Sequence, residues 1–78
     1  MRSEYLVRMA NDISRFFAAE SGEQEEAARN VLTHLKRFWD PRMRARIVAY
    51  YREGGTGLTD IAARAVAMLA DETTAEQG

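Results

Sequence analysis

The chain lacks cysteine, has one proline and one histidine, and carries a single lysine among eleven basic residues. Without cysteine it has no disulfide and no thiolate metal site, and it suits a reducing cytoplasm. His34 has no second histidine at helical spacing and no Asp or Glu three or four positions away, so no metal-ligand pattern forms around it. It is expected to be a structural histidine bonded to a backbone carbonyl or a neighbour. Long apolar runs are missing too, and none approaches the ~20 residues of a membrane span. The N-terminal stretch MRSEYLVRMANDISRFF is interrupted by charges and has no small-residue cleavage site, so it is not expected to act as a secretory signal. Glycine occurs as GGTG at 54–57, without the strand, lysine or spacing of a phosphate-binding loop. Glu25-Glu26 reads only as the acidic first turn of a helix, because paired carboxylates for acid–base work need a desolvating cleft. No catalytic constellation is present.

What the chain does have is apolar content, 46% of 78 residues, enough for one globular domain. A core of this size rarely supplies more than ~3–5 kcal/mol without a disulfide or metal. Completion of the core against another subunit is one answer to that shortfall. The net charge of −1 argues against a general nucleic-acid binder, but it hides a polarity along the chain. Residues 1–28 carry net −3, residues 29–52 net +6 and residues 53–78 net −4.

The periodicity predicts an all-α fold, a small bundle of about four short helices in one domain over 1–72, with a disordered polar tail over 73–78. The first helix runs from about Glu4 to Glu20, capped by Ser3. Leu6, Met9, Ala10, Ile13, Phe16 and Phe17 form its apolar face, and Arg8, Asn11, Asp12 and Arg15 the opposite one. Ser21-Gly22 makes a turn. The second helix runs from about Glu23 to Trp39, with Ala28, Val31, Leu35 and Phe38 on its apolar face and Leu32 and Trp39 beside them. The third begins at Pro41 and stops before Gly54-Gly55. Its apolar groups reach most of the way round, which suits a helix held between its own bundle and a partner. The fourth runs from about Asp60 to Asp71, with Thr59 as cap and Ile61, Ala62, Ala65, Val66 and Leu69 as its stripe.

The most informative stretch is HLKRFWDPRMRAR, residues 34–46, which holds five of the eleven basic residues beside Phe38 and Trp39. Asp40-Pro41 starts a helix: an Asx cap, then a proline where a missing N–H costs nothing. Arginines in the next turn oppose the helix dipole, which favours anions there. They need another reason, and a partner supplies one. Arginine is the preferred cation of buried interfaces because its planar fork matches carboxylates and desolvates readily. The candidate partner-binding set is therefore Arg37, Phe38, Trp39, Pro41, Arg42, Arg44 and Arg46. In the competing reading the arginines are a solvated face, salt-bridged to Glu20, Glu25 or Asp40 at ~0–1 kcal/mol each. Nucleic acid is a poor match: Ala45, Val48 and Tyr51 are weak base readers, and the acidic flanks repel phosphate.

The segments LVRMANDISRFFAAE, HLKRFWDPRMRARIVAY and GGTGLTDIAARAV, in that order, resemble the small delta subunit of bacterial NAD-dependent formate dehydrogenases, over residues 5 to 67. FWDPRMR is the specific part. The resemblance implies a cytoplasmic, non-catalytic accessory subunit with no cofactor of its own. It further implies a molybdenum or tungsten complex whose catalytic alpha subunit holds bis-molybdopterin guanine dinucleotide and iron–sulfur clusters, and whose diaphorase subunits hold FMN and reduce NAD. Such a subunit is tied to complex stability and to loading of the molybdenum cofactor. A dissociable maturation chaperone is the alternative, and a small nucleic-acid-binding or regulatory module a more distant one.

Overall fold

Most helix boundaries follow from a few residues whose backbone or side chain satisfies orphaned helix-end groups. A computed structural model describes the backbone of residues 2–77 and the side chains of residues 2–73. Four helices follow in order: α1 Ser3–Ser21, α2 Gln24–Phe38, α3 Pro41–Arg52 and α4 Asp60–Gln77. Helix α1 ends at Gly22, whose left-handed backbone (φ 69°) lets its N–H reach the Ala18 carbonyl. Helix α2 is capped by the Glu23 carboxylate, which accepts from the amides of Glu25 (3.1 Å) and Glu26 (2.7 Å). The sequence reading placed Glu23 inside this helix and Ser3 outside α1. In the structure Glu23 is the cap, whereas Ser3 is helical and Arg2 stands at the cap position without a side-chain bond.

Asp40 and Pro41 start α3 as expected, with the Asp40 carboxylate accepting from the Met43 amide at 2.9 Å. At its far end Gly55 N–H donates to Tyr50 O and Gly54 N–H to Tyr51 O, the paired bonds of a Schellman stop. Thr59 caps α4 through its hydroxyl, which accepts from Ala62 N–H at 3.2 Å. Helix α4 continues to Gln77, past Asp71 where the apolar stripe fades. Glu, Ala and Gln are good helix formers, so the helix persists there without an amphipathic signal. The side chains beyond Thr73 and the whole of Gly78, part of the expected tail, lie outside the described residues.

The core is built from Leu6, Ala10, Val31, Leu35, Ile47 and Val66 with smaller residues between them. Helix α2 packs on both α1 and α4, and α3 packs on the same two helices. Helices α2 and α3, joined only by Trp39-Asp40, barely touch each other. Ala62, Ala65 and Ala70 of α4 are buried, and small side chains there allow close approach. The wide apolar reach of α3 has an internal cause. With Ile47 and Val48 buried, and Met43, Tyr50 and Tyr51 half-buried, α3 meets two neighbours of its own bundle.

Two faces are turned relative to the periodicity. In α1, Val7 and Ser14 are buried while Phe16 is 58% exposed. Helix α1 touches α2, α3 and α4, and this draws its buried arc towards Val7 and Ser14. The Ser14 hydroxyl donates to the Ala10 carbonyl at 2.7 Å, so its burial leaves nothing unpaired. At the end of α2 the expected order of rings is reversed: Phe38 is 70% exposed and Trp39 only 5%. Trp39, four residues after Leu35 and eight after Val31, falls over the same buried face, and its indole joins the core although its own backbone ends the helix (φ −88°, ψ 137°).

Asn11, assigned to the polar face of α1, clamps the α3–α4 loop. Its amide donates to Gly57 O at 2.9 Å and its carbonyl accepts from Thr59 N–H at 2.9 Å. Tyr50 O–H adds a 2.6 Å bond to Thr56 O. Between α2 and α4, Arg64 forks onto Glu25 (3.0–3.2 Å) and Lys36 meets Glu72 at 2.7 Å. The Glu25 carboxyl is held below its usual range by the Arg64 hydrogen bond.

Three outcomes are expected. Trp39→Ala should lower unfolding free energy by about 3–5 kcal/mol, and Phe38→Ala by under about 0.5 kcal/mol. Equal losses in urea titrations would refute the in-and-out assignment. Asn11→Ala should cost about 0.5–1.5 kcal/mol, because the part-buried Thr59 amide and the exposed Gly57 carbonyl lose their partner. Asn11→Asp should cost less at neutral pH, since it still accepts from Thr59. For Glu25, a depressed folded-state pKa means its contribution is present above the ordinary carboxylate range and fades as pH falls through the folded value. Glu25→Gln should flatten that part of the acid limb in thermal melts recorded from about pH 6 to pH 3; an unaltered limb would show the fork to be inconsequential.

Candidate partner-docking surface

The α2–α3 corner is a two-residue reversal made rigid from inside and from both ends. Trp39 N–H donates to Leu35 O at 3.1 Å and ends α2, while its ring joins the core. Arg44 N–H returns to Asp40 O at 3.1 Å, and the Arg44 guanidinium donates to Lys36 O at 3.3 Å. That last bond ties the first turn of α3 to an orphan carbonyl in the last turn of α2. The buried indole and the two tethers fix what the corner presents outward, namely Phe38 and Pro41.

The arginines gathered by the sequence reading do not form one cluster. Arg42 and Arg46, one helical turn apart and exposed, border a shallow groove with Ala45, Ala49, Tyr50 and Glu53. Arg44 lies on the other flank of α3, half-buried, in a groove against α4 that also contains Lys36 and Glu72. Arg37 is exposed on α2. Trp39, also in the predicted set, is a core residue and presents no surface to a partner.

Charge pairing divides the cations in the same way. Arg15 is held by Asp12 (2.6 Å), Arg64 by Glu25 and Lys36 by Glu72. Among the described residues, Arg37, Arg42 and Arg46 make no hydrogen bond or ion pair, and neither does Arg8 on α1. The carboxylates proposed as their internal partners are engaged or remote. Glu25 serves Arg64, Asp40 caps α3, and Glu20 pairs with none of them.

A second feature escaped the sequence reading. Phe16, Phe17, His34 and Phe38 form a row of rings across the α1–α2 seam. Phe16 meets Phe17 edge-on at 5.1 Å, Phe17 meets His34 at 6.2 Å, and His34 meets Phe38 at 4.7 Å. His34 is thus held between rings, and among the described residues it makes no hydrogen bond of the kind expected for it. The available signal was the i, i+4 spacing of His34 and Phe38, hidden by the assignment of Phe38 to the core. Beside the row lies an almost wholly apolar recess of about 300 Å³.

Among the described residues no group of three His, Cys, Asp or Glu side chains could hold a metal ion. Nor, among them, is any helix long and apolar enough to cross a membrane. The chain has no cysteine to ligate an iron–sulfur cluster.

Comparison with known proteins adds one finding. No curated protein and no solved structure matches the chain. One family model does, described as "NADH-dependant formate dehydrogenase delta subunit FdsD", and it aligns with residues 5–66. That span includes α1, α2, the α2–α3 corner, α3 and the first turns of α4, with both the ring row and the unpaired arginines inside it. The chain belongs to the family of formate dehydrogenase delta subunits.

Proposed function

We propose that this chain is a non-catalytic accessory subunit of a cytoplasmic NAD-dependent formate dehydrogenase, and that it docks on the catalytic alpha subunit through the α2–α3 corner. The observation that carries the reading is the pair Arg42 and Arg46, exposed on one flank of α3 and in no ion pair among the described residues, although Glu53 lines the same groove. An arginine fork left unpaired on a rigid helix is pre-organised for a carboxylate or carbonyl on another protein. Arg37, Phe38 and Pro41 extend the same surface round the corner, and Trp39 and Arg44 hold it in shape from behind.

Family membership supports the other formate dehydrogenase subunits as partners, and the alpha subunit is our choice among them. The bis-molybdopterin guanine dinucleotide, iron–sulfur clusters and FMN of the complex belong in this proposal to the alpha and diaphorase subunits. This chain then acts on them indirectly. It stabilises the assembled complex, or keeps the alpha subunit in a conformation that accepts its molybdenum cofactor. A rigid bundle suits either role, because association does not then require the docking elements to fold first.

Co-purification tests this. The wild-type chain should stay in fixed stoichiometry with active enzyme, which a dissociable maturation chaperone would not. Arg42→Ala combined with Arg46→Ala should weaken association by roughly 30-fold or more, the effect of losing about 1–2 kcal/mol at each of two interface arginines. The double variant should keep its helical circular dichroism and unfolding midpoint. Unchanged co-elution of the folded double variant would refute the docking assignment.

A further inference from the structure

The two seams of α2 are finished differently. The α2–α4 seam is closed by ion pairs, Glu25 with Arg64 and Lys36 with Glu72. The α1–α2 seam carries rings instead. Phe16 and Phe38 stand 58% and 70% exposed at its two ends, with the half-buried Phe17 and His34 between them. Large rings left in water forgo roughly 25 cal/mol for each Å² of apolar surface that a partner would cover. The recess beside them, bounded by Ile13, Phe16, Phe17, His34 and Asp12, whose carboxylate is engaged by Arg15, is an open trough between two helices. An amphipathic helix from another protein fills such a trough with apolar residues at i, i+3/4 and i+7.

The charges along the seam give the occupant a direction. Arg37 neighbours Phe38 at one end and has no acid of its own. At the other end stand Glu20, one turn beyond Phe16 on α1, and Glu26, three turns before Arg37 on the same flank of α2. Neither carboxylate is in an ion pair among the described residues. Helices ordinarily carry acids in the first turn and bases in the last. A helix of that ordinary kind complements this seam in one orientation only, with its acidic N-terminal turn at Arg37 and its basic C-terminal turn at Glu20 and Glu26.

We infer that the α1–α2 seam receives an amphipathic helix of one of the larger dehydrogenase subunits, laid parallel to α1 with its N-terminal carboxylates on Arg37. This rests on the accessory-subunit reading above and adds to it an apolar half of the interface, a partner element and its direction. The ring row supplies the apolar contact. The unpaired charges at the ends set register and polarity, as charge complementarity does at other interfaces.

The experiment places a photo-crosslinking phenylalanine analogue at position 16 or 38 in the purified, active complex, and separately measures association of the Phe16→Asp/Phe38→Asp and Arg37→Glu variants. Both positions are expected to crosslink to a single helical segment of a larger subunit, with position 38 reaching its acid-bearing N-terminal end. The double aspartate variant should lose association at least tenfold while keeping its circular dichroism, and Arg37→Glu should lose it in a salt-dependent way. Crosslinks to a second copy of this chain would overturn the inference in favour of self-association. Crosslinks in the reverse order along the helix would overturn its direction. If the aspartate variant and Arg37→Glu both associate normally while the Arg42/Arg46 double variant does not, this inference fails and the accessory-subunit reading stands. If the wild-type chain does not remain with the enzyme at all, that reading fails first. Should the aspartate variant unfold, the crosslinks, made with a near-isosteric ring, still decide.

Discussion

Burial of Trp39 is the constraint on which the rest of this surface depends. A helix that continued past Trp39 would run α2 and α3 into one rod. Instead the chain leaves helical geometry at Trp39, the indole enters the core, and the next helix starts at once from Asp40 and Pro41. Three consequences follow. Phe38 remains at the surface, α2 and α3 diverge rather than pack on each other, and Arg42 and Arg46 of α3 stay outside every ion pair among the described residues. The dipole penalty of arginines near a helix N-terminus is then borne for a surface, not for an internal salt bridge.

The other end of α3 is fixed as firmly. Asn11 reaches from α1 to the backbone of Gly57 and Thr59, and Tyr50 reaches Thr56, so the α3–α4 connection is anchored through polar bonds to two helices. With the Trp39 corner at one end and this clamp at the other, α3 is held rigidly between α1 and α4. A bundle this small gains little from its core alone. Its cross-helix hydrogen bonds and the Glu25–Arg64 fork therefore matter more than they would in a larger domain. They also explain how a chain without disulfide or metal can present side chains in fixed positions.

Much of this was legible in the residues. Gly22, Asp40-Pro41, Gly54-Gly55 and Thr59 mark helix boundaries through backbone chemistry that acts locally, so the four-helix, all-α reading needed no tertiary information. The arginine flank was legible for the same reason: positions 42 and 46 fall one turn apart on any α-helix. What the residues did not disclose was which side of α1 the bundle would cover. Leu6, Ala10 and Phe17 serve either of two overlapping arcs, and only contact with three neighbours chose the one containing Val7 and Ser14 and left Phe16 outside. Asn11 looked like a surface residue because its partners lie more than forty positions away, in a loop without periodicity.

By itself, then, the sequence determined the number and order of the helices and those ends marked by Gly22, Asp40-Pro41, Gly54-Gly55 and Thr59, the absence of thiolate chemistry and the gathering of positive charge in the middle third. Each of these depends on one residue type or on neighbours a turn apart. Tertiary structure alone decided that Trp39 is core and Phe38 is surface, that Arg44 braces the corner while Arg42 and Arg46 stay unpaired, and that rings from α1 and α2 align into one seam. Those outcomes depend on the angle at which distant helices meet, and that angle is set by the packing of all four together.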